Sequence, residues 1–341
     1  MCVSEERWSE RRTQRAAELP LPPLDARRFR FVQILAQQER HGGQIELYDD
    51  LQEDCKVVGK RLLRSWTLDS SEEFSEANPE LLESPWKEME LSVKVASVKG
   101  VCKCLGAFED AGQGDIVILM EYVPGGDLHD LVGRCPTEPG LEREAKAWPV
   151  ILSLLRAVRS LHHFGVAHGD ISLENALLGQ DGEVRLVDFA AAVTESTVLG
   201  SRGKPSYQAP EMHQTTRAYD PRAADLFACG VFAYCLALAD YPWRCTRPRQ
   251  CSAFDFFMAR GLSAFLAQRR VRFNDAKGPP VETVLSPKLQ HLLKILLDPT
   301  PEKRYQVWQE LWEEPPTSLK VDLPENPSAE DHTHLLPLKV K

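Results

Sequence analysis

The chain has 341 residues, 43% hydrophobic and 27% charged, with 41 Lys and Arg against 50 Asp and Glu for a net charge of −9. Such a composition is that of an ordinary soluble globular protein, long enough for two domains or for one large domain with two sub-cores. The negative balance argues against a nucleic-acid binder that works by neutralising phosphates, and it permits steering of a basic partner.

Residues 1–28 mix charge with a Leu-Pro-Leu-Pro-Pro run and read as a flexible leader that lacks the apolar stretch of a signal peptide. From Phe29 to Tyr48 apolar residues partly alternate, which predicts two strands joined by the polar turn AQQERHGG; Lys56 to Leu63 reads as a third strand. The segment from Ser65 to Ser84 is acidic and serine-rich and is expected to be a solvated surface insertion. Trp86 to Val95 has helical spacing, with Pro85 where a first turn tolerates it. Val101 to Phe108 and Asp115 to Val123 are the next expected strands, and Pro124-Gly125-Gly126 then breaks the chain.

Beyond that break helical patterns dominate: Ala145 to Phe164, Asp225 to Ala239, Ala253 to Gln268 and Pro287 to Leu297. Residues 313–341 turn polar and proline-containing, the pattern of a tail. A strand-rich half (29–123) and a helix-rich half (124–312) predict an α+β fold of two lobes with a cleft between them. The best apolar run, Leu226 to Ala239, is too short and too rich in small residues for a membrane span, and reads as a buried core helix. Nine cysteines occur without paired CxxC spacing. Cys102 and Cys104 form a CxC that a strand would place on one face, where buried reduced thiols are expected in preference to a metal site. An intracellular, cytoplasmic setting follows as the expectation.

The chemistry concentrates in His168-Gly169-Asp170-Ile171-Ser172-Leu173-Glu174-Asn175, followed after a short hairpin by Val187-Asp188-Phe189. Phosphoryl transfer needs a base to orient the attacking hydroxyl and oxygen ligands to hold magnesium against phosphates. An Asp, an Asn five residues on and a second Asp supply all three; the bland reading is a helix cap and two turn residues.

This pattern resembles the eukaryotic protein kinase family, whose catalytic loop reads H-R-D-x-x-x-x-N and whose metal-binding turn reads D-F-G. Further motifs follow in the family's order: Val57-Val58-Gly59-Lys60, Glu121-Tyr122-Val123, Ala209-Pro210-Glu211, Asp225 through Gly230, and Arg304. The resemblance covers roughly residues 29–312 and implies a small antiparallel-sheet lobe with one helix, and a larger helical lobe. It implies ATP and Mg2+ as cofactors, with Asp170 as base and Asn175 and Asp188 as metal ligands. Lys60 would grip the inner phosphates, held by Glu88 or, alternatively, Glu90. Gly43, Ile45, Val58 and Leu177 would line the nucleotide, the backbone of Glu121 and Val123 would meet adenine, and Asp127 the ribose. Glu211 and Arg304 would form a buried ion pair bracing the substrate-binding floor.

Several positions depart from the family. Gln38 and Arg40 stand where the first two loop glycines belong, Gly169 replaces the arginine before the base, and Ala190 replaces the last glycine of D-F-G. Glycines let backbone amides approach phosphate closely, so a weaker nucleotide grip is implied. The family's lysine two past the base is Ser172, while Lys204 follows Gly203 where the family has a threonine. Hydroxyl and ammonium have exchanged sides, and Lys204 is expected to bond Ser172 and to serve as the missing catalytic lysine.

These departures keep open a pseudokinase scaffold, while H-G-D by itself also fits small-molecule kinases, which lack Ala-Pro-Glu, the Asp225 motif and Arg304. Without an arginine before Asp170, phosphate on Thr194, Ser196, Thr197 or Ser201 is expected to matter little. The expected partner is a protein substrate, serine/threonine in type, with basic residues near the acceptor facing Asp127 and Glu174. No nucleic acid, membrane or second copy is expected. His162 and His163 read as helix-end residues, and Tyr241 and Trp243, flanking Pro242, as a packed loop anchor.

Overall fold

Alternating side chains of the strands after the first build a sheet whose two faces are closed by different apolar clusters, while the first strand is exposed beyond Phe29. In a computed structural model the described residues are 21–38, 42–135, 137–214, 216–273 and 276–304. The leader as far as Pro20, Arg40, and everything from residue 305, including the expected tail, lie outside them. The chain divides into two compact units: one runs through Ser97 and resumes at Lys103–Tyr122, the other comprises Val98–Cys102 and the chain from Val123.

In the first unit β1 (Phe29–Gln37), β2 (Gln44–Asp50), β3 (Cys55–Leu62), β4 (Cys104–Glu109) and β5 (Ile116–Glu121) form one sheet in the order β1-β2-β3-β5-β4. Each neighbouring pair is antiparallel. Ile45 lies opposite Lys60, Leu47 opposite Val58, and Lys60 opposite Ile118, so these residues share one face. Leu62, Ile116 and Ile118 pack there with Cys104 and with Met89 of a helix, Pro85–Lys94. Phe29, Tyr48, Val57, Val117 and Leu119 close the other face. Each such buried side chain contributes about 1.5–3 kcal/mol.

The insertion is not wholly solvated. It folds into α1 (Arg64–Thr67) and α2 (Ser71–Ala77), so the described residues of this unit carry three helices with α3 (Pro85–Lys94), not one. Ser70 Oγ accepts from the Glu73 amide at 3.1 Å while Glu73 Oε2 accepts from the Asp69 amide at 3.0 Å, a reciprocal cap. Phe74 is buried and meets the Trp66 ring edge-on at 5.0 Å, and Trp86 Nε1 donates to the Thr67 carbonyl at 2.8 Å.

The second unit contains α4 (Leu128–Arg134), α5 (Leu141–His163), the hairpin β6 (Ala176–Leu178) and β7 (Val184–Leu186), and α6 (Pro221–Leu238). It continues with α7 (Ser252–Gln268), the hairpin β8 (Arg270–Phe273) and β9 (Ala276–Pro280), α8 (Val281–Val284) and α9 (Pro287–Leu296). Every residue of α6 except Arg222 is buried. By length and apolarity α6 could cross a membrane, with a mean hydropathy of 1.3, yet 94% of it is buried inside the fold. Trp243 anchors its loop as expected, with Phe254 and Phe257 rings each 4.9 Å away.

Val101 to Lys103 are not part of the fourth strand. Val101 bridges Leu186 in parallel, the Cys102 amide donates to the Leu186 carbonyl at 2.9 Å, and the Leu186 amide donates to the Gly100 carbonyl at 2.9 Å. Pairing with β7 satisfies these backbone groups and draws the segment into the second unit. Cys102 and Cys104 are both buried, as expected of reduced thiols.

Candidate active site

In the first unit β3 presents Lys60 on the face that α3 covers, and its ammonium donates to Glu88 Oε1; both side chains are buried. Glu90, two positions on and so near the opposite side of the helix, is exposed. Glu88 is therefore the partner, and a buried pair holds the ammonium in one place. Ile45 and Val58 lie half-buried on the same sheet face as Lys60.

Gly43 has a different reason to be glycine from the one expected. A Cβ there would sit 2.5 Å from the Arg61 carbonyl oxygen and 2.8 Å from Gln38 Oε1. The close approach is to strand β3 and to the turn, which the Gln38 amide closes by donating to the Gly43 carbonyl at 2.8 Å. At the end of β5 the Glu121 amide donates to the Lys103 carbonyl at 2.9 Å.

In the second unit the catalytic-loop segment hangs from one carboxylate. Asp225, in the first half of α6, accepts from the His168 amide (2.8 Å), the Gly169 amide (2.9 Å) and His162 Nε2 (2.8 Å). His162 thus fixes Asp225 from the end of α5, a role the sequence reading assigned to neither histidine. His168 is fully buried, its Nε2 against the Val187 carbonyl at 3.0 Å and its ring 5.0 Å from that of Phe189. Gly169 has φ +76°, and a Cβ would come 2.4 Å from the Ala191 carbonyl oxygen, so the backbone itself excludes a side chain here.

Asp170 is enclosed by donors. Its Oδ1 accepts from the Lys204 amide at 2.9 Å, and its Oδ2 from Asn175 Nδ2 at 2.7 Å and Lys204 Nζ at 3.1 Å. Burial pushes its carboxyl above the usual range, and the Lys204 ammonium pulls it part of the way back. Lys204 Nζ also lies 2.9 Å from Ser172 Oγ, which is the contact expected from the exchanged residues. Gly203 lets this turn approach: a Cβ would meet Asp170 Oδ1 and the Gly169 carbonyl oxygen, each at 2.7 Å.

The donor chemistry fits magnesium. The Asn175 amide nitrogen is spent on Asp170, also bonding its carbonyl at 2.9 Å, which leaves Oδ1 as the atom to face a cation. The Val187 amide donates to the Asn175 carbonyl at 3.0 Å, tying that loop to the turn bearing Asp188. Asp188 takes a left-handed φ of +67°, an uncommon conformation for a residue other than glycine. One carboxylate and one amide oxygen make a hard donor set suited to Mg2+.

Asp127 caps α4 by accepting from the Asp130 amide at 2.8 Å and bridges Leu177 of β6. Val123 is buried two residues after the end of β5. Glu211, in a one-turn helix at Pro210–His213, pairs with the fully buried Arg304. Arg304 also donates to the Ala223 and Asp298 carbonyls, and its guanidinium lies 5.3 Å from the Phe227 ring centre. Burial pushes the Glu211 carboxyl up and the Arg304 guanidinium down, against their mutual attraction.

An antiparallel-sheet unit bearing a Lys–Glu pair, and a helical unit bearing this loop, turn and brace, define a protein kinase fold. Residues 54–315 match the family described as "Protein kinase domain", and the chain belongs to that family. The match begins beyond β1 and β2, the strands flanking the turn where the loop glycines are missing. Similar proteins include a probable serine/threonine-protein kinase of Saccharomyces cerevisiae, RTK1, 33% identical over 39% of this chain and 22% of that protein. The serine/threonine-protein kinase ppk8 of Schizosaccharomyces pombe is 35% identical over 38% of this chain and 25% of its own length. The CBL-interacting serine/threonine-protein kinase 1 of Arabidopsis thaliana is 30% identical over 58% of this chain and 40% of its own. The chain thus spans less than half the length of each of these relatives.

Proposed function

We propose that this chain is a catalytically active serine/threonine protein kinase rather than a pseudokinase scaffold. The observation that carries the reading is the state of Asp170, a largely buried carboxylate held by Asn175 and Lys204. Among the described residues Oδ1 accepts only the Lys204 amide, which leaves it a lone pair for an acceptor hydroxyl. Lys60, fixed by Glu88, would hold phosphate, and Asn175 and Asp188 would hold Mg2+. When bound, ATP with Mg2+ supplies the phosphoryl group and neutralises its charge. Lys204 would present an ammonium beside the base, the position from which charge gathering on a transferring phosphate is stabilised.

Protein substrates with basic residues near the acceptor fit Asp127 and Glu174. Glu174 Oε2 is buried without a hydrogen-bond partner among the described residues, an acceptor left for a cation. Nine cysteines without paired CxxC spacing fit an intracellular protein, and a monomer is part of the same reading. The test is turnover of ATP with Mg2+ on a protein substrate, native chain beside Asp170→Asn. The variant is expected to lose on the order of 100-fold or more. Equal residual rates would transfer the chain to the scaffold class.

A further inference from the structure

Three arginines, Arg244, Arg247 and Arg249, are exposed on the loop between α6 and α7, and none forms an ion pair among the described residues. In a chain of net charge −9 this is a local concentration of one sign that needs explaining. The acids flanking the loop are committed elsewhere. Asp240 Oδ2 accepts from Arg269 at 2.9 Å, and Asp255 Oδ1 accepts from the backbone amide of Arg249 at 3.0 Å. Asp240 is thus taken by another arginine and Asp255 meets the Arg249 backbone rather than its guanidinium, while Arg244 Nη2 donates to the Gln250 carbonyl at 3.4 Å.

Their loop is also bonded directly to the turn that touches the base. Ser206 Oγ donates to the Arg244 carbonyl at 2.7 Å, Trp243 Nε1 donates to the Ser206 carbonyl at 3.0 Å, and the Thr246 amide donates to the Pro205 carbonyl at 3.3 Å. The other end of that turn is Lys204, whose amide bonds Asp170. Buried Thr246 and Trp243 fix the loop from beneath, so the three arginines project from a rigid base. From Asp170 through Lys204 to Ser206 is two residues of chain beyond the contact, and an arginine side chain adds its own reach. A peptide whose hydroxyl reaches Asp170 and which runs past this turn would come within reach of these guanidiniums a few residues from the acceptor.

We propose that Arg244, Arg247 and Arg249 select substrates with a carboxylate or phosphate a few residues from the acceptor, on the side facing the 203–208 turn. This rests on the kinase reading and deepens it: the preferred segment is bipolar, basic toward Asp127 and Glu174, acidic toward the arginines. The guanidinium fork matches both anions, and its exposure places the effect on recognition rather than on chemistry.

The experiment uses the full chain and a positional set of acceptor peptides in which Ala, Glu, phosphoserine or Arg is placed at each position flanking one serine. Glu or phosphoserine is expected to raise kcat/KM about tenfold over Ala in one contiguous block of positions. A rise with both anions makes any acid sufficient; a rise with phosphoserine alone makes a previously phosphorylated protein the substrate; both results support the proposal. In the triple variant Arg244→Gln, Arg247→Gln, Arg249→Gln the acid-to-Ala ratio is expected to fall to about one. In the triple Arg→Glu variant the preference should invert toward Arg, a result that misfolding cannot produce. Anisotropy of labelled acidic and neutral peptides on Asp170→Asn reads binding apart from turnover. Absent turnover with intact acidic preference in binding would count against the kinase reading alone. Equal binding of acidic and neutral peptides by the native chain, or no inversion in the charge-reversed variant, overturns the proposal.

Discussion

Lys204→Ala removes an ammonium that touches both the base and the buried Ser172 hydroxyl. Unit charges 3.1 Å apart attract by about 5 kcal/mol at an effective dielectric near 20. The Lys204 side chain is 35% exposed, and solvent screening reduces the useful part to about 1–2 kcal/mol. The sign follows from the groups involved. Burial already raises the Asp170 carboxyl and Lys204 lowers it, so the variant's carboxyl must rise further. A base works deprotonated, and the acid limb of the kcat/KM profile should therefore move to higher pH. On the plateau, turnover should fall roughly tenfold or more with little change in ATP affinity, because the lost interaction acts on the transferring phosphate. Ser172→Lys combined with Lys204→Thr should restore much of the loss. The assay is a pH series of initial rates for the native chain, the single variant and the double variant. Superimposable profiles for native and Lys204→Ala would refute both the electrostatic and the catalytic parts of the reasoning.

Glu211→Gln leaves Arg304 charged in a fully buried site and should cost about 3–5 kcal/mol, read as a fall in denaturation midpoint at unchanged m-value. Gly169→Arg, which writes the family's usual residue into the loop, should not improve activity: at φ +76° a side chain costs about 1–2 kcal/mol before the collision with the Ala191 carbonyl, so both Tm and turnover should fall.

The fold was legible wherever residue type and spacing carried the same message. The alternation in β2 and β3, the capped start of α3 at Ser84-Pro85 and the apolar run of α6 place those elements within a few residues of where they lie. In the candidate site, Lys60 with Glu88 and Glu211 with Arg304 were expected as pairs from the resemblance and Lys204 with Ser172 from two departures from it, and each is a contact in the structure. The insertion misled because its acidic, serine-rich composition hides a reciprocal cap around Ser70 and one buried aromatic, Phe74, which is enough to pin a helix. Val101 and Cys102 looked like strand because they are apolar, but the backbone partner of this stretch is Leu186, far along the chain, and no local pattern reports that. The same limit hid the part of His162, whose partner Asp225 comes from another helix. Gly43 was placed at the third loop glycine by aligning Ile45 with the family's loop valine; its crowding against Arg61 is a further, strand-pairing reason for glycine that alignment does not report.

The membership of Val98–Cys102 in the second unit has a consequence for the order in which the protein is made. These residues leave the ribosome among those of the first unit, yet their backbone partner on β7 is Leu186, about 84 positions after Cys102. At roughly 5–20 residues per second, several seconds pass before that partner is synthesised. Until then Gly100 and Cys102 present an unpaired backbone edge between two strands' worth of sheet that can already close. The β6–β7 hairpin pairs internally, so what the earlier-made chain supplies is the partner for its outer edge at Leu186.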